Sequence, residues 1–207
     1  MKPVEIPEDI ALLAVKQYGY AIEYIDNPSE AVQLAAVNKW GEAIDYIINN
    51  LGHDPSEVVQ LAAVKKDGLT IYYIKDPSEA VQLAAVKQDG YAIRYIVNPS
   101  EAVQLVIVKR DGLAIRYIIK NLGHDPSEEV QLAAVKRPGC AIEYIKNPSE
   151  EVQLAAVKQN GLAIRYIIKN LGHDPSEAVQ LAAVKQNIYS IDYIKNPSEA
   201  VKRAAGR

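Results

Sequence analysis

The segment DPSEAVQLAAVKQDGYAIRYI, Asp76 to Ile96, recurs with small changes along the whole chain. Aligned on its glycine, the copies fall at Gly19, Gly41, Gly68, Gly90, Gly112, Gly139 and Gly161, with Ile188 in the eighth slot, so neighbours are 22 or 27 residues apart. Self-similarity at such a period marks stacked units, each too small to bury its own apolar face.

Each copy predicts two short helices. The first opens with Asn or Asp, then Pro-Ser-Glu, as in Asn27-Pro28-Ser29-Glu30. Proline biases the residue before it toward extended backbone, which suits an N-cap, and itself fits the first helical position. The glutamate then stands where its carboxylate can reach back to the cap. The helix runs through VQLAAVKQ and is expected to stop at Asp-Gly or Asn-Gly as a left-handed terminus. The second helix, such as Tyr91 to Ile96, is about two turns long. In three copies it gains five residues, and Ile44, Ile47, Ile48 and Leu51 then form one apolar stripe ended by Gly52.

Helices this short are marginal alone, and the first is apolar on nearly every side, so neighbours must cover it. The expected fold is therefore all-α: a solenoid of about eight stacked two-helix hairpins of 22 or 27 residues, one domain over residues 1–207. At roughly 9 Å per helix layer the stack would be about 70 Å long. Ile6-Pro7-Glu8-Asp9 is a degenerate first signal, and PSEAVKRAAGR reads as a C-terminal capping helix whose Lys202 and Arg203 replace the usual Gln and Leu. The alternative is an array that continues past Arg207.

The phrase VQLAAVKQNG-x-AI-x-YI, Val152 to Ile167, resembles a bacterial tandem helical-repeat family catalogued as domain of unknown function 4116. The likeness runs from about Ile10 to Ile194 and implies stacked helical repeats. It brings no activity, cofactor or catalytic residue with it.

Composition narrows function. The net charge of −3 gives no global field for nucleic acid or a membrane surface. Cys140 is the single cysteine, so no internal disulfide forms, and a reducing compartment fits. The N-terminal stretch carries acids where a signal peptide needs an apolar core, and no apolar run approaches the ~20 residues of a membrane span. A soluble cytoplasmic protein is expected.

Several repeated side chains invite a functional reading. His53, His124 and His173 sit three and then two units apart, about 27 and 18 Å at the same layer spacing, so one metal ion cannot gather them. The glutamines, Gln33 to Gln180, are expected to hydrogen-bond along the stack, or else to hold a bound peptide's backbone. The tyrosines of the Tyr-Ile pair read as half-buried spacers. A lysine row that includes Lys65, Lys87, Lys109, Lys136 and Lys158 complements the helix dipoles and is the alternative site, a basic edge for a polyanion.

Variation is concentrated just before those tyrosines, at Glu23, Asp45, Tyr72, Arg94, Arg116, Glu143, Arg165 and Asp192. An uneven charge pattern on a uniform scaffold suits complementarity to a specific partner, although drift on a solvated surface gives the same pattern. Trp40 is expected to be exposed and to anchor a contact. The partner-binding candidates are thus Trp40, Tyr72, Arg94, Arg116, Glu143 and Arg165. No phosphate loop, nucleophile elbow or metal-ligand spacing is present, and Cys140 reads as buried and inert, so neither an enzyme nor a cofactor is expected. The leading expectation is a protein–protein interaction scaffold; a polyanion binder is the alternative, and a structural spacer a third.

Overall fold

The computed structural model describes residues 6–137 and 140–206. Gly139 of the glycine register, residues 1–5 and Arg207 lie outside them. Among the described residues the regular elements are all helical, α or 3-10, in the repeated pattern of an all-α helical-repeat fold. They group into two compact units, Met1–Val103 and Gln104–Arg207, divided within the helix Glu101–Arg110.

In the first unit the long helices are α1 (Glu8–Gln17), α2 (Glu30–Lys39), α4 (Glu57–Lys66) and α5 (Glu79–Gln88). Each packs on the next in that order. Behind them runs a second row: the 3-10 segment Gly19–Tyr24, α3 (Ala43–Leu51), and the 3-10 segments Gly68–Tyr73 and Gly90–Tyr95. The helix Glu101–Arg110 is α6. The second unit repeats the plan. α8 (Glu128–Val135), α9 (Glu150–Gln159) and α11 (Glu177–Gln186) pack in series and end on α12 (Glu199–Ala204). Its second row holds α7 (Ile115–Leu122), the 3-10 segment Ala141–Tyr144, α10 (Ile164–Leu171) and the 3-10 segment Ile188–Tyr193. In α12, Val201 is buried while Lys202 is half-buried and Arg203 exposed, so the final helix turns charge outward.

The core is built from one set of positions per layer. Most long helices bury valine, alanine and valine at i, i+4 and i+5, as in Val32, Ala36 and Val37 or Val179, Ala183 and Val184; α1 buries Ala11 and Val15 instead, and α6 has Ile107 in the alanine slot. The second segment adds isoleucines such as Ile22, Ile71 and Ile142, all at most 1% exposed. Alanine at the contact lets neighbouring helices approach, so the stack has room for little else.

Four sequence expectations are corrected. First, the helices start two residues later than the Asn-Pro signal suggests. Ser29, Ser78, Ser127, Ser149, Ser176 and Ser198 are the N-caps, each accepting the N–H three residues on. Asn27 and Asn98 instead hold left-handed backbone, with φ of 47° and 51°, a conformation asparagine tolerates.

Second, the glutamate does not fold back on its own cap. Glu57, Glu128, Glu150 and Glu177 accept the hydroxyl of the next layer's cap serine, respectively Ser78, Ser149, Ser176 and Ser198. The capping box of the sequence reading is an inter-layer bond.

Third, the repeated glycine is not left-handed. Gly68 follows Asp67 at φ −149°, ψ 111°; a Cβ on Gly68 would stand 2.6 Å from the Ala85 carbonyl oxygen of the next layer. Close approach explains the glycine there. The left-handed ends are Gly52, Gly123 and Gly172, with φ of 74°, 78° and 79°, which close the longer helices.

Fourth, the short second helices are 3-10. Six residues between an Asp or Asn cap and an Asx-Pro break leave few i→i+4 bonds, and the tighter i→i+3 pattern uses the carbonyls better. The cap side chain supports the first turn, as Asp89 Oδ1 does for the Tyr91 N–H at 2.7 Å.

Candidate interaction surface

The glutamines are structural and local. Gln33 Nε2 donates to the Pro28 carbonyl at 2.8 Å, and Gln60, Gln82, Gln131, Gln153 and Gln180 make the equivalent bond to Pro55, Pro77, Pro126, Pro148 and Pro175. They neither bridge layers, as the sequence reading expected, nor present an amide to a partner. In the longer layers aspartate does the bridging. Asp54, Asp125 and Asp174 accept backbone N–H groups one layer on, from Lys75 and Asp76, Lys146 and Asn147, and Lys195 and Asn196. Asn50 and Asn170 reach back the other way to carbonyls such as Ile22 and Ile142.

Each histidine is exposed, its Nδ1 on the carbonyl of the following aspartate at 2.7 to 2.8 Å. Among the described residues no three His, Cys, Asp or Glu side chains converge as metal ligands do. Cys140 is half-buried at the start of its 3-10 segment, not fully buried.

Trp40 departs from expectation. It is half-buried, packed on Tyr46 with ring centroids 5.9 Å apart, and its Cβ closes the space beside Gly19. Its bulk serves layer contact. The exposed aromatic surface is tyrosine: Tyr24 is 71% and Tyr72 64% exposed, and Tyr91, Tyr95, Tyr189 and Tyr193 are exposed with them. Tyr46, Tyr73, Tyr117, Tyr144 and Tyr166 match the half-buried reading, whereas Tyr24, Tyr95 and Tyr193 do not.

The variable ridge lies beside these rings. Arg94, Arg116 and Arg165 are exposed; Asp45 and Glu143 are half-buried. Arg116 places its guanidinium carbon 4.5 Å from the Tyr117 ring centre and donates to the Tyr117 hydroxyl at 2.6 Å. A hydrogen bond to Tyr144, one layer on, and the bond to Tyr117 both favour its charged form. Arg165 repeats this with Tyr166, at 4.5 and 2.6 Å, and with Tyr193. In the first unit Tyr72 stands edge-on to Tyr73 and Tyr95, at 5.3 and 5.2 Å.

Lys65, Lys87, Lys109, Lys136 and Lys158 are all exposed at or beside the ends of the long helices. Lys65, Lys136 and Lys158 rim grooves with apolar floors. Lys65 borders Leu34, Val58 and Leu61 between α2 and α4, and Lys136 and Lys158 border Leu132 and Leu154 between α8 and α9, with Glu151 among them.

No described helix is long and apolar enough to cross a membrane. Comparison of the chain with family models, curated proteins and solved structures finds no match.

Proposed function

We propose that this chain is a binding scaffold for another protein, engaged through the tyrosine-bearing ridge of the second row. The observation that carries the reading is the exposure of a row of tyrosines, Tyr24 and Tyr72 above all, beside positions whose charge changes from layer to layer. Tyrosine supplies large contact area at small entropic cost and is enriched where proteins meet. The varied charges at Asp45, Arg94, Glu143 and Arg165 would select the partner. The proposal assigns no catalytic step. A bacterial, cytoplasmic setting is part of it, supported by the family resemblance and the single cysteine.

Polyanion binding along the lysine row is the second reading, supported by the shared exposure of Lys136 and Lys158 on one groove. The apolar floors and Glu151 in that groove weigh against it. Affinity capture from native lysate, with and without nuclease and at two salt concentrations, separates the two. A discrete protein retained after nuclease with weak salt dependence supports the scaffold. Nucleic acid that is lost between about 50 and 200 mM salt, as counterion release requires, supports the lysine row and sinks the scaffold.

A further inference from the structure

The three longer layers share one design and differ at a few positions, among them the one before the tyrosine. Arg116 and Arg165 each lay a guanidinium against the tyrosine of their own layer and bond the tyrosine of the next. In the remaining long layer that position is Asp45. Its own tyrosine is Tyr46 and the next layer's is Tyr73, so a ring pair that carries a cation elsewhere meets a carboxylate here.

Beside Tyr73 there is a pocket of about 200 Å³ whose walls include Glu42, Asp67, Thr70, Tyr72, Tyr73 and Tyr95. At about 30 Å³ per water, that is space on the order of six waters, ample for a planar guanidinium. Tyr72 meets Tyr73 and Tyr95 edge-on and so holds the aromatic walls in place. Thr70, where most layers carry alanine, is buried and donates to the Asp67 carbonyl at 2.7 Å, which steadies the acidic wall. Two carboxylates and the faces of tyrosines are what an organic cation prefers. The Tyr73 phenol is itself pushed above its ordinary value by burial and, next, by Glu42 and Asp45, which agrees with a locally negative field.

We infer that the pocket between Glu42, Asp67, Tyr73 and Tyr95 receives the guanidinium of an arginine side chain from a partner polypeptide. The inference rests on the scaffold reading and names the chemistry of one contact. Arg116 and Arg165 show that tyrosines of this row take a guanidinium, there on the ring of their own layer; in this pocket the rings are Tyr72, Tyr73 and Tyr95. Arginine is favoured over lysine because the planar group stacks on the ring and donates to the hydroxyl at once, as Arg116 does.

The test is an NMR titration of the intact chain with acetyl-Gly-Arg-Gly-Arg-Gly-amide, reading the ring signals of Tyr72, Tyr73 and Tyr95. Saturable shifts are expected. The same peptide with citrulline, neutral but of the same shape, should shift nothing. Glu42→Gln should weaken binding by about two- to fivefold. Glu42→Lys should remove it by reversing the charge of a pocket wall, with a thermal melt confirming that the fold is kept. No shift with arginine, or an equal shift with citrulline, overturns the inference. An equal response to acetyl-Gly-Lys-Gly-Lys-Gly-amide overturns the assignment to arginine. Failure of the two readings is distinguishable: peptide binding without any protein captured from lysate sinks the scaffold alone. A captured protein with no peptide shift sinks the pocket alone.

Discussion

The Asp125 carboxylate accepts the backbone N–H of Lys146 at 3.0 Å, one layer further along the chain. The same oxygen takes the Asn147 N–H at 3.0 Å. A side chain at the start of one layer therefore satisfies the backbone at the start of the next. Hydrogen bonds to a charged group contribute about 1.5–3 kcal/mol when well made, less at a partly exposed site. Asp125→Ala should cost about 1–2 kcal/mol, read as a lower urea midpoint. Asp125→Asn keeps one acceptor and should lose less. An unchanged midpoint for Asp125→Ala would show that water replaces the bond without cost.

Two kinds of glycine should respond differently to asparagine. A Cβ on Gly161 would stand 2.5 Å from the Ala183 carbonyl oxygen and 2.9 Å from Ser190 Oγ. Forcing it in should cost about 1–3 kcal/mol whatever the new side chain. Gly172 has nothing within 4 Å but holds φ 79°. Gly172→Ala should cost about 1 kcal/mol through backbone strain, and Gly172→Asn should recover part of it. Equal recovery by asparagine at Gly161 would contradict the close-approach account.

Tyr73 should be among the last tyrosines to ionise. Burial favours its neutral phenol, and Glu42 and Asp45 add to this. A raised folded value means that its contribution to stability is full below about pH 10, the unfolded value, and is lost as pH rises through the folded one. Ring shifts followed against pH should place Tyr73 above free tyrosine. The double substitution Glu42→Gln, Asp45→Asn should bring it down. A Tyr73 that titrates with the exposed tyrosines would refute the field described at the pocket.

Replacing Lys87, Lys109 and Lys136 together with glutamine should leave capture of a protein partner within about twofold, since exposed charges at a rim contribute little. Tyr72→Ser combined with Arg94→Glu should reduce it at least tenfold, the loss expected when a central aromatic contact goes. The reverse ranking would transfer the interaction to the lysine edge.

The repeat made the helical stack legible, because copies at fixed spacing report which positions share an environment. What it did not disclose is which chemically sufficient option each residue takes. Asn27 and Ser29 are both good cap residues, and only the layer below decides that serine caps while the glutamate of the preceding layer accepts from it. Glycine after aspartate suits a left-handed end or a close contact equally well, and Gly68 is the second because Ala85 of the following layer lies against it. Gln33 bonds Pro28 within its own layer, which no one-dimensional comparison separates from a bond between layers. Trp40 misled for a related reason: Asp or Asn in five of its counterparts says nothing about whether an indole would pack against Tyr46. The candidate ridge was visible as variation; the pocket beside Tyr73 was not, since its walls come from residues 42 to 95.

The serine–glutamate bonds have a direction. In each of these bonds the earlier layer offers the carboxylate and the later layer the hydroxyl, as Glu128 and Ser149 do. A part with complementary faces accepts copies of itself, so duplicating a whole segment creates a new seam in which each donor already has its acceptor. Losing half a segment leaves both faces mismatched. Lengthening or shortening by complete copies is therefore the change this architecture tolerates best, and the near-identical wording of its segments is what a history of such copying would leave behind.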